Sequence, residues 1–497
     1  MKKRKLLTAL IIVTIGIATA FLYFFKQKAY DNYNLVVFDA DVFRADRLDC
    51  ENYPEVTPNL CKIEDEFFKF NNHHSHTDLT KPGISSFLTS SYPSTHGVFN
   101  EFLFLDKKQP SIVNILKENG YHTIVSGEFE NPQLSSDNYD EKLGVKAYKK
   151  YKLNITDLIR KKPTFIFIYT GDLHYPYLFR DSATIITHPK KPINFPNNMK
   201  EFGESADKFL VKKYSNVVEN SAIKEFIKNQ NGLTEGVYGY FSSLCRSTDI
   251  EDKIINVDTC WQVVEKTFEQ YIDKDNPDHI EFVKYLYQEQ IKQMDRKLGQ
   301  MIKGLKSDSL WDKTVFVIRS DHGEEFMEHG FIGHSNNLYQ ELLRVPFWIH
   351  IPHQKGKIID DLTQTIDEAP TLLNALGIKP HPLMIGRNLL NPDTYENQID
   401  FNIAQKMKSV FSIRVADYKL IYAYSDEASD NYYELYNLKD DPGEENNIVE
   451  ENQEIKEKLL SKYYSIINQQ PHFESLNELF EKLTDDQKDN LYKDGYF

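Results

Sequence analysis

Five short apolar runs constrain the fold of this chain more than any other feature of its sequence. They are residues 35–38, 122–127, 163–171, 314–323 and 345–352. Runs of this kind are typical of strands buried on both faces of a parallel sheet. Helical patterns lie between them, including residues 57–70 and a stretch in which Ile291, Met294, Leu298 and Ile302 share one face. This alternation predicts a doubly wound α/β domain whose ligands bind beyond the carboxyl ends of the strands.

Two regions depart from the alternation. Residues 178–280 are polar and rich in Asn and Lys, which indicates a large insertion near the site. From about residue 407, short alternating strands and turns predict a small antiparallel sheet followed by helical segments. We therefore expect a catalytic α/β domain over 33–400 and a C-terminal antiparallel-sheet subdomain with a helical tail over 401–497.

The N-terminus predicts a membrane anchor. Residues 2–5 are basic, and an uncharged, mostly apolar run from Leu6 to Phe25 follows them, which is long enough to cross a bilayer as a helix. The basic cluster should stay cytoplasmic, so that the rest of the chain is exported to the periplasm or the outside. A signal peptide cleaved near residues 18–20 is the alternative. We expect residues 1–28 to form a basic tail and a single transmembrane helix.

Net charge and cysteine count limit the function and the compartment of the chain. The formal net charge of the 497 residues is −15, and so acidic a chain repels nucleic acid, which excludes that partner. Its four cysteines form two pairs that are close in sequence, Cys50 with Cys61 and Cys245 with Cys260. An even count in an exported chain predicts two local disulfides, with buried free thiols as the alternative.

Acidic residues and histidines cluster where three of the apolar runs end. They are Asp39, Asp41, Arg44 and Asp46 after the first run, Asp172 and His174 after the third, and Asp321, His322, Glu324, His329 and His334 after the fourth. A single such end is commonly a solvated turn or a helix cap. Several ends on one sheet edge converge on a common crevice, which predicts a divalent metal site. Carboxylate and imidazole ligands allow Mn²⁺ or Zn²⁺, whereas an oxygen-rich site suits Ca²⁺ or Mg²⁺.

Thr80 is the candidate nucleophile. Pro82 pre-sets φ and Gly83 permits close backbone approach, which predicts a helix from about Gly83 to Thr89 with Thr80 near its N-terminus. The macrodipole there favours an oxyanion and an anionic substrate group. A divalent cation lowers the pKa of a coordinated hydroxyl and so activates it. An ordinary helix cap is the alternative function for Thr80.

Other polar side chains near Thr80 are expected to take no part in catalysis. Thr77 and Asp78 are further cap candidates. His73, His74 and His76 match no metal-ligand spacing and are predicted to lie in a solvated loop.

These motifs resemble, in order along the chain, those of the sulfatases and their relatives in the alkaline phosphatase superfamily. The segment "FDADVFRADRL" (38–48) resembles the first metal-binding strand end, "TKPGISSFLTSSYPSTHGV" (80–98) the nucleophile helix, and "SDHGEEFMEHGFIGH" (320–334) the second metal-binding segment. The resemblance covers nearly the whole chain after the predicted anchor. It implies an alkaline-phosphatase-like α/β fold and an enzyme that cleaves or transfers a sulfur or phosphorus ester group.

The resemblance also implies a metal-ligand set. By matching position, Asp41, Asp321 and His322 would bind one divalent cation, and Thr80 would be a further ligand. Asp39 is an additional candidate ligand, displaced by one residue from the Asp-Asp pair that is usual in the family.

Catalytic and substrate-binding roles follow from the same resemblance. Thr80 would be the nucleophile, and His174 and His334 would contact the anionic group of the substrate or protonate the leaving oxygen. Arg44 would bind substrate or orient the metal-binding carboxylates.

The chain departs from the sulfatase motif at the nucleophile. Sulfatases carry Cys or Ser followed by x-Pro-Ser-Arg and oxidise that residue to formylglycine, whereas Thr80 is followed by Lys81, Pro82, Gly83 and Ile84 here. No formylglycine is therefore expected. Residues 128 and 130 are both glutamate where the family has lysine and histidine.

Threonine nucleophiles are known from the phospho-transferring branches of the superfamily, so we predict phosphoester hydrolysis or phosphoryl transfer through metal-bound Thr80. A sulfuric ester hydrolase is the first alternative, and a catalytically idle relative that binds a glycan is the second. The expected substrate is an anionic ester, on an envelope glycan or a lipid headgroup.

Overall fold

The computed structural model describes a large part of the chain. The described residues are 33–101, 103, 105–106, 108–127, 139–143, 155–159, 163–175, 177, 186–198, 201–202, 205–206, 266–391, 401–406, 410–424 and 431–470. The anchor predicted over 1–28 and most of the predicted insertion lie outside them, so both stay predictions. Within the described ranges, no helix has the length and apolar character needed to cross a bilayer.

Strands and helices are numbered in chain order. The strands are β1 (Asn34–Ala40), β2 (Phe67–Phe70), β3 (His73–His74), β4 (His122–Gly127), β5 (Glu141–Leu143), β6 (Thr164–Thr170), β7 (Thr314–Arg319), β8 (Glu325–Phe326), β9 (Ile332–Gly333), β10 (Phe347–His350), β11 (Ile358–Ile359), β12 (Thr363–Gln364), β13 (Phe401–Lys406), β14 (Val410–Val415), β15 (Tyr418–Ala423) and β16 (Tyr432–Asn437). The helices are α1 (Pro58–Cys61), α2 (Thr80–Thr89), α3 (Pro93–His96), α4 (Ile112–Glu118), α5 (Pro277–Ser307), α6 (Gln340–Leu343), α7 (Thr365–Ala375) and α8 (Gln453–Ile467).

An eight-stranded sheet in the order β11-β2-β10-β7-β1-β6-β4-β5 forms the centre of the protein. All five apolar runs are strands of this sheet, as their composition predicts. β7, β1, β6, β4 and β5 run parallel, but β10 is antiparallel to both β7 and β2. The sheet is therefore mixed, which corrects the expectation of a parallel one. A run that is apolar on both faces shows that a strand is buried and gives no information about its direction.

The helix predicted over 57–70 is much shorter than its pattern indicates. α1 ends at Cys61, and the aromatic end of the segment is β2, which pairs with β10 and β11. The physical reason is composition, since the run Phe67-Phe68-Lys69-Phe70 favours a pleated, buried strand. Cys50 and Cys61 form a disulfide, as predicted, while the predicted pair of Cys245 and Cys260 lies outside the described residues.

Helices cover both faces of the sheet. α5 buries Ile291, Met294, Leu298 and Ile302 against one face, which confirms the predicted amphipathic pattern. The other face packs against α2, α4 and α7 in a second apolar cluster. This two-sided cover leaves the carboxyl ends of the parallel strands as the place where polar side chains gather.

The C-terminal part forms the predicted antiparallel sheet, in the order β13-β14-β15-β16. α8 follows it in sequence and packs against it through Leu459, Tyr463 and Ile467. The sheet lies against the segments that precede α2, because the Gln405 N–H donates a hydrogen bond to His76 O at 2.8 Å. The C-terminal sheet thus reaches the region of the candidate nucleophile.

Candidate active site

Two neighbouring strand ends bring the predicted metal ligands together. β1 and β7 are parallel and pair Asp39 with Arg319, so that the residues after each strand lie side by side. One ligand atom from each of Asp41, Asp321 and His322 lies within 4.8 Å of the others, and all three side chains are buried. We refer to these three residues as the acidic cluster.

The hydrogen bonds of the acidic cluster direct Asp41 Oδ1, Asp321 Oδ2 and His322 Nε2 toward one another. Asp41 Oδ2 accepts from the Tyr169 hydroxyl at 2.5 Å, and Asp321 Oδ1 accepts from the His322 N–H at 3.0 Å. Asp41 Oδ1 and Asp321 Oδ2 are buried and have no hydrogen-bond partner among the described residues. His322 Nδ1 donates to Gly323 O at 2.9 Å, which leaves the Nε2 lone pair 3.6 Å from Asp41 Oδ1.

The protonation of the acidic cluster fits a divalent cation. Burial and the charges of Asp41 and Asp39 raise the pKa of Asp321 well above its ordinary value. Burial also lowers the pKa of His322 to about 3, so its imidazole is neutral. Two buried carboxylates that repel each other, beside a neutral imidazole with its lone pair exposed to them, form a donor set that suits a divalent cation.

Helix α2 presents Thr80 to the acidic cluster. The helix begins at Thr80 itself, earlier than predicted, and Thr80 Oγ1 lies 3.3 Å from His322 Nε2. A Cβ on Gly83 would lie 2.8 Å from Asp321 O, so glycine allows the first turn to rest against the Asp321 backbone. Pro82 is buried in the same turn. The hydroxyl is thus held at the acidic cluster by backbone packing.

His174 and His334 extend the site from the acidic cluster. The ring centroid of His334 lies 4.6 Å from that of His322 and 4.9 Å from that of His174. His334 Nδ1 is 2.9 Å from Glu324 Oε1, and His174 Nδ1 donates to Tyr175 O at 2.9 Å. The two histidines predicted to contact substrate therefore lie next to each other and next to a predicted metal ligand.

His334 and Glu324 are in hydrogen-bond contact, and burial keeps both groups uncharged near pH 7. Burial and the neighbouring His174 lower the pKa of His334 to about 3. Burial raises the pKa of Glu324 to about 8, even though His174 opposes the rise. At pH 7 the His334 ring is therefore neutral, and Glu324 is a buried carboxyl that can hold a proton beside it.

Asp39 lies outside the acidic cluster. Its Oδ2 is 2.5 Å from Arg319 Nη1, and Arg319 Nε is 2.6 Å from Glu368 Oε2. Glu368 Oε1 in turn lies 3.0 Å from His73 Nε2, and all four side chains are fully buried. The structure thus places Asp39 in a buried chain of polar contacts with Arg319, Glu368 and His73, and not among the predicted metal ligands that the structure brings together.

Arg44 also contacts protein groups. Its guanidinium forms ion pairs with Asp46 and Glu328, both at 2.9 Å, and donates to Glu324 O at 3.0 Å. These contacts tie the loop after β1 to the segment that carries Glu324. The geometry fits an orienting role for Arg44 better than contact with substrate.

The expectation of a solvated loop for three histidines is wrong. His73, His74 and His76 are all buried. His73 and His74 form β3, which pairs with β12, and His76 Nδ1 donates to Ile403 O at 2.5 Å. Polar residue type indicates exposure, but here His74 and His76 contact Arg414 and Ile403 of the C-terminal sheet, and His73 contacts Thr363 and Glu368 through its two ring nitrogens.

The two cap candidates before Thr80 do not cap α2. Leu79 occupies the capping position, and the side chain that accepts a hydrogen bond from the first turn is Glu101, whose Oε1 accepts from the Lys81 N–H at 2.9 Å. Thr77 and Asp78 are fully buried instead. Asp78 Oδ2 lies 3.8 Å from Lys406 Nζ, a contact across 328 positions that no local sequence pattern indicates.

A second group of acidic residues and histidine lies in the segment after Glu324. Glu325, His329 and Glu341 offer atoms within 4.8 Å of one another. Glu325 Oε1 already accepts from the backbone N–H groups of His329 and Phe331, and His329 Nδ1 lies 2.6 Å from Glu341 Oε1. These bonds describe an ion pair, so we do not assign a metal to this group.

Two protein-family models match long stretches of the chain. The Sulfatase model matches residues 33–378, which is more than half of the sequence. The chain belongs to the sulfatase family. A second model, N-sulphoglucosamine sulphohydrolase, C-terminal, matches residues 327–469 and so includes β13 to β16. The resemblance in the sequence motifs is confirmed, as is the placement of this sulfatase-family protein in the alkaline phosphatase superfamily.

Curated relatives of this sulfatase-family protein carry sulfatase names. Arylsulfatase K of Homo sapiens is 29% identical over 204 residues, which are 38% of this chain and 38% of the relative. N-acetylglucosamine-6-O-sulfatase of Bacteroides thetaiotaomicron is 21% identical over 457 residues, 79% of this chain and 78% of the relative. These names favour the sulfuric ester hydrolase alternative over the phosphoester chemistry that the sequence motifs predict.

Solved structures of both chemistries share the fold of this sulfatase-family protein. A protein in complex with its substrate D-glucosamine-2-N,6-O-disulfate matches with a TM-score of 0.62 and 19% identity, over 88% of this chain and 98% of that one. The phosphonate monoester hydrolase of Agrobacterium radiobacter matches with a TM-score of 0.57 and 16% identity, over 86% of this chain and 95% of that one. At these identities the likeness shows the α/β fold.

Proposed function

We propose that this sulfatase-family protein hydrolyses a sulfuric ester on a glycan, with the Thr80 hydroxyl as nucleophile. The observation that carries the proposal is the position of Thr80 Oγ1, 3.3 Å from His322 Nε2 at the edge of the acidic cluster. The family and the named relatives support ester hydrolysis, and the printed names of two relatives support a sulfated amino sugar as the class of substrate.

The chain supplies a nucleophile that is oriented before substrate arrives. The neutral His322 accepts a hydrogen bond from the Thr80 hydroxyl through Nε2, because its Nδ1 is occupied as a donor to Gly323 O. A divalent cation held by Asp41, Asp321 and His322 would take the Nε2 lone pair in place of this hydrogen bond, lower the pKa of the Thr80 hydroxyl and balance the charge of the substrate's oxygens. The first turn of α2 adds a positive dipole end at the same point.

His334 and Glu324 form the acid of the proposed reaction. Thr80 gives its hydroxyl proton to water as Oγ1 forms a bond to sulfur, the bond from sulfur to the sugar oxygen breaks, and that oxygen takes a proton from His334. Glu324 holds a proton near neutral pH and touches His334 Nδ1, so the ring can donate from its far nitrogen while Nδ1 takes the proton of Glu324. Water then cleaves the Thr80 ester at sulfur: sulfate leaves, one proton of the water restores the Thr80 hydroxyl, and the other returns through His334 to Glu324.

A phosphorus ester is the second candidate substrate. Two observations favour it: Thr80 stands where sulfatases carry the precursor of formylglycine, and phosphonate monoester hydrolases share the fold. Ile84, at the position of the family's arginine, is fully buried in an apolar cluster and offers no charge to sulfate. The convergence of Thr80, His174 and His334 on the acidic cluster supports an active enzyme over the idle glycan-binding alternative.

One set of assays tests the proposal. The full chain, loaded in turn with Mn²⁺, Zn²⁺, Ca²⁺ and Mg²⁺, is given matched 4-nitrophenyl sulfate, phosphate monoester, phosphodiester and phosphonate, and then 6-O-sulfated N-acetylglucosamine. We expect sulfate to be turned over fastest, and Thr80→Ala to lower kcat by at least about 1000-fold while the melting temperature stays unchanged. Thr89→Ala, in the last turn of the same helix, is the control for a threonine away from the acidic cluster.

Each result has a definite consequence. Faster turnover of a phosphorus ester would replace the sulfuric ester by the second candidate while keeping Thr80 as nucleophile. Full activity of Thr80→Ala would remove the nucleophile from the proposal. A protein that binds sulfated sugar without turning over any ester would establish the idle alternative.

A further inference from the structure

Lys406, the last residue of β13, contacts two loops of the active site at once. Its Nζ donates a hydrogen bond to Ser335 O, and it lies 3.8 Å from Asp78 Oδ2. Ser335 directly follows His334, and Asp78 precedes Thr80 by two residues. One ammonium group of the C-terminal sheet therefore joins the loop of the acid to the loop of the nucleophile.

Burial makes this contact a strong one. The Lys406 side chain is 13% exposed and the Asp78 side chain is fully buried. Two opposite charges interact more strongly away from water than on the surface, and each depends on the other for compensation.

The position of Lys406 is fixed by the sheet that carries it. β13 pairs with β14 along its whole length, and Lys406 at the end of β13 pairs with Val410 at the start of β14. β13 is also fastened beside the nucleophile loop, because Gln405 N donates to His76 O at 2.8 Å and His76 Nδ1 donates to Ile403 O at 2.5 Å. Lys406 thus extends from a rigid element toward both loops.

We propose that Lys406 is a positioning residue, which sets the placement of His334 relative to Thr80 by holding Ser335 O and the Asp78 carboxylate together. The inference rests on the proposed function, since it takes His334 as the acid and Thr80 as the nucleophile. It gives the C-terminal sheet a part in catalysis, because β13, the first strand of that sheet, aligns the loops of the acid and the nucleophile. Lys406 acts through these loops and needs no contact with substrate.

The alignment of an acid has a kinetic signature that a purely structural ion pair lacks. A poor leaving group such as an alkoxide needs its proton in the transition state, whereas 4-nitrophenolate leaves without one. Loss of alignment between His334 and Thr80 therefore slows the cleavage of an alkyl ester more than that of the 4-nitrophenyl ester. Loss of fold stability slows both equally.

The experiment uses the full, metal-loaded chain with the 4-nitrophenyl and alkyl esters of whichever acid the wild type cleaves fastest. Lys406→Met alone leaves Asp78 buried without its counter-charge, so the double variant Lys406→Met with Asp78→Asn keeps the protein foldable. We expect the double variant to melt close to the wild type, to lose about 100-fold in kcat on the alkyl ester and to lose about 10-fold or less on the 4-nitrophenyl ester. KM should change little for either. Lys406→Arg should recover most of the loss, and Lys439→Met, which removes an exposed charge after β16, should match the wild type.

Two outcomes would overturn the inference. Equal losses on the two esters would reduce Lys406 to a structural residue, and a double variant as active as the wild type would remove it from catalysis. His334→Gln separates this failure from that of the proposed function. If His334→Gln slows the alkyl ester more than the 4-nitrophenyl ester and the Lys406 variants slow both equally, only the inference about Lys406 is wrong. If His334→Gln slows both esters equally, His334 is not the acid, and the proposed role of Lys406 is wrong as well.

Discussion

The ion pair between His329 and Glu341 makes the stability of the protein depend on pH in a calculable way. His329 Nδ1 lies 2.6 Å from Glu341 Oε1, and its ring stacks on Tyr339 with centroids 3.5 Å apart. Burial opposes protonation, but the hydrogen bond and charge of Glu341 outweigh it and raise the pKa of His329 from 6.5 to about 9. A raised pKa means that the contribution to stability is complete below about pH 6.5 and is lost as the pH rises through about 9.

The size of the effect follows from the two pKa values. The difference between 6.5 and about 9 corresponds to roughly 3 kcal/mol in favour of the folded state. The His329 side chain is 12% exposed, and partial screening by water reduces the measurable part to about 2 kcal/mol. His329→Gln keeps a donor for Glu341 and removes the charge. The quantity to compare is the free energy of unfolding of the wild type minus that of His329→Gln. This difference should be about 2 kcal/mol larger at about pH 6 than at about pH 9.5.

Urea denaturation followed by circular dichroism measures this difference at each pH. The loss of ring stacking in His329→Gln lowers its stability by the same amount at every pH. Only the pH dependence of the stability difference between wild type and variant therefore reports on the ion pair. His381→Gln, at an exposed histidine that accepts a hydrogen bond from the Leu383 N–H, is the matched control. A difference between the wild type and His329→Gln that stays constant over this pH range would refute the assigned ion pair.

Three further predictions concern residues around the site and the fold. Tyr169→Phe removes the donor to Asp41 Oδ2 and should weaken divalent-cation binding by about 10- to 100-fold in isothermal titration, without change in the circular dichroism spectrum. Arg319→Met should cost about 3–5 kcal/mol in urea denaturation, because it leaves Asp39 buried without its counter-charge, and Asp39→Asn should cost less, because Arg319 keeps its ion pair with Glu368. The double variant should cost less than the sum of the two single variants, and additive costs would contradict the pairing. Ser111→Ala removes the side chain that caps α4 and should cost about 1 kcal/mol in the same assay, and no loss would argue against the cap.

The central sheet and the acidic cluster were predictable from the sequence because the signals that specify them are local. An apolar run followed by an acidic or histidine residue indicates a buried strand and its carboxyl end, and this pattern places Asp41, Asp321 and His322 on neighbouring strand ends. The Pro-Gly pair after Thr80 likewise indicates a helix start, although the helix begins three residues earlier than predicted. Glu324 could also have been found, since it follows the same strand end.

The remaining features depend on contacts between residues far apart in sequence. His74 and His76 are buried against the C-terminal sheet, and Lys406 reaches Asp78 from the same sheet. Arg319 ends β7 directly after the apolar residues 315–318 and shows no pattern of its own, yet it compensates Asp39 on the adjacent strand. Tertiary partners of this kind leave no periodicity in the sequence, so only the folded structure identifies them.

The packing behind the nucleophile makes the departure from the family motif difficult to reverse by evolution. Ile84 is fully buried with Phe87 in an apolar cluster, where an arginine would bring an uncompensated charge. A serine at position 83 would place its Cβ 2.8 Å from Asp321 O, and the backbone under the nucleophile would have to move. Single steps back toward the formylglycine motif therefore pass through poorly folded intermediates. Substitutions in the loops that surround Thr80 can change the active site more readily than substitutions at positions 83 and 84. Engineers who start from this protein face the same restriction if they try to restore the formylglycine motif.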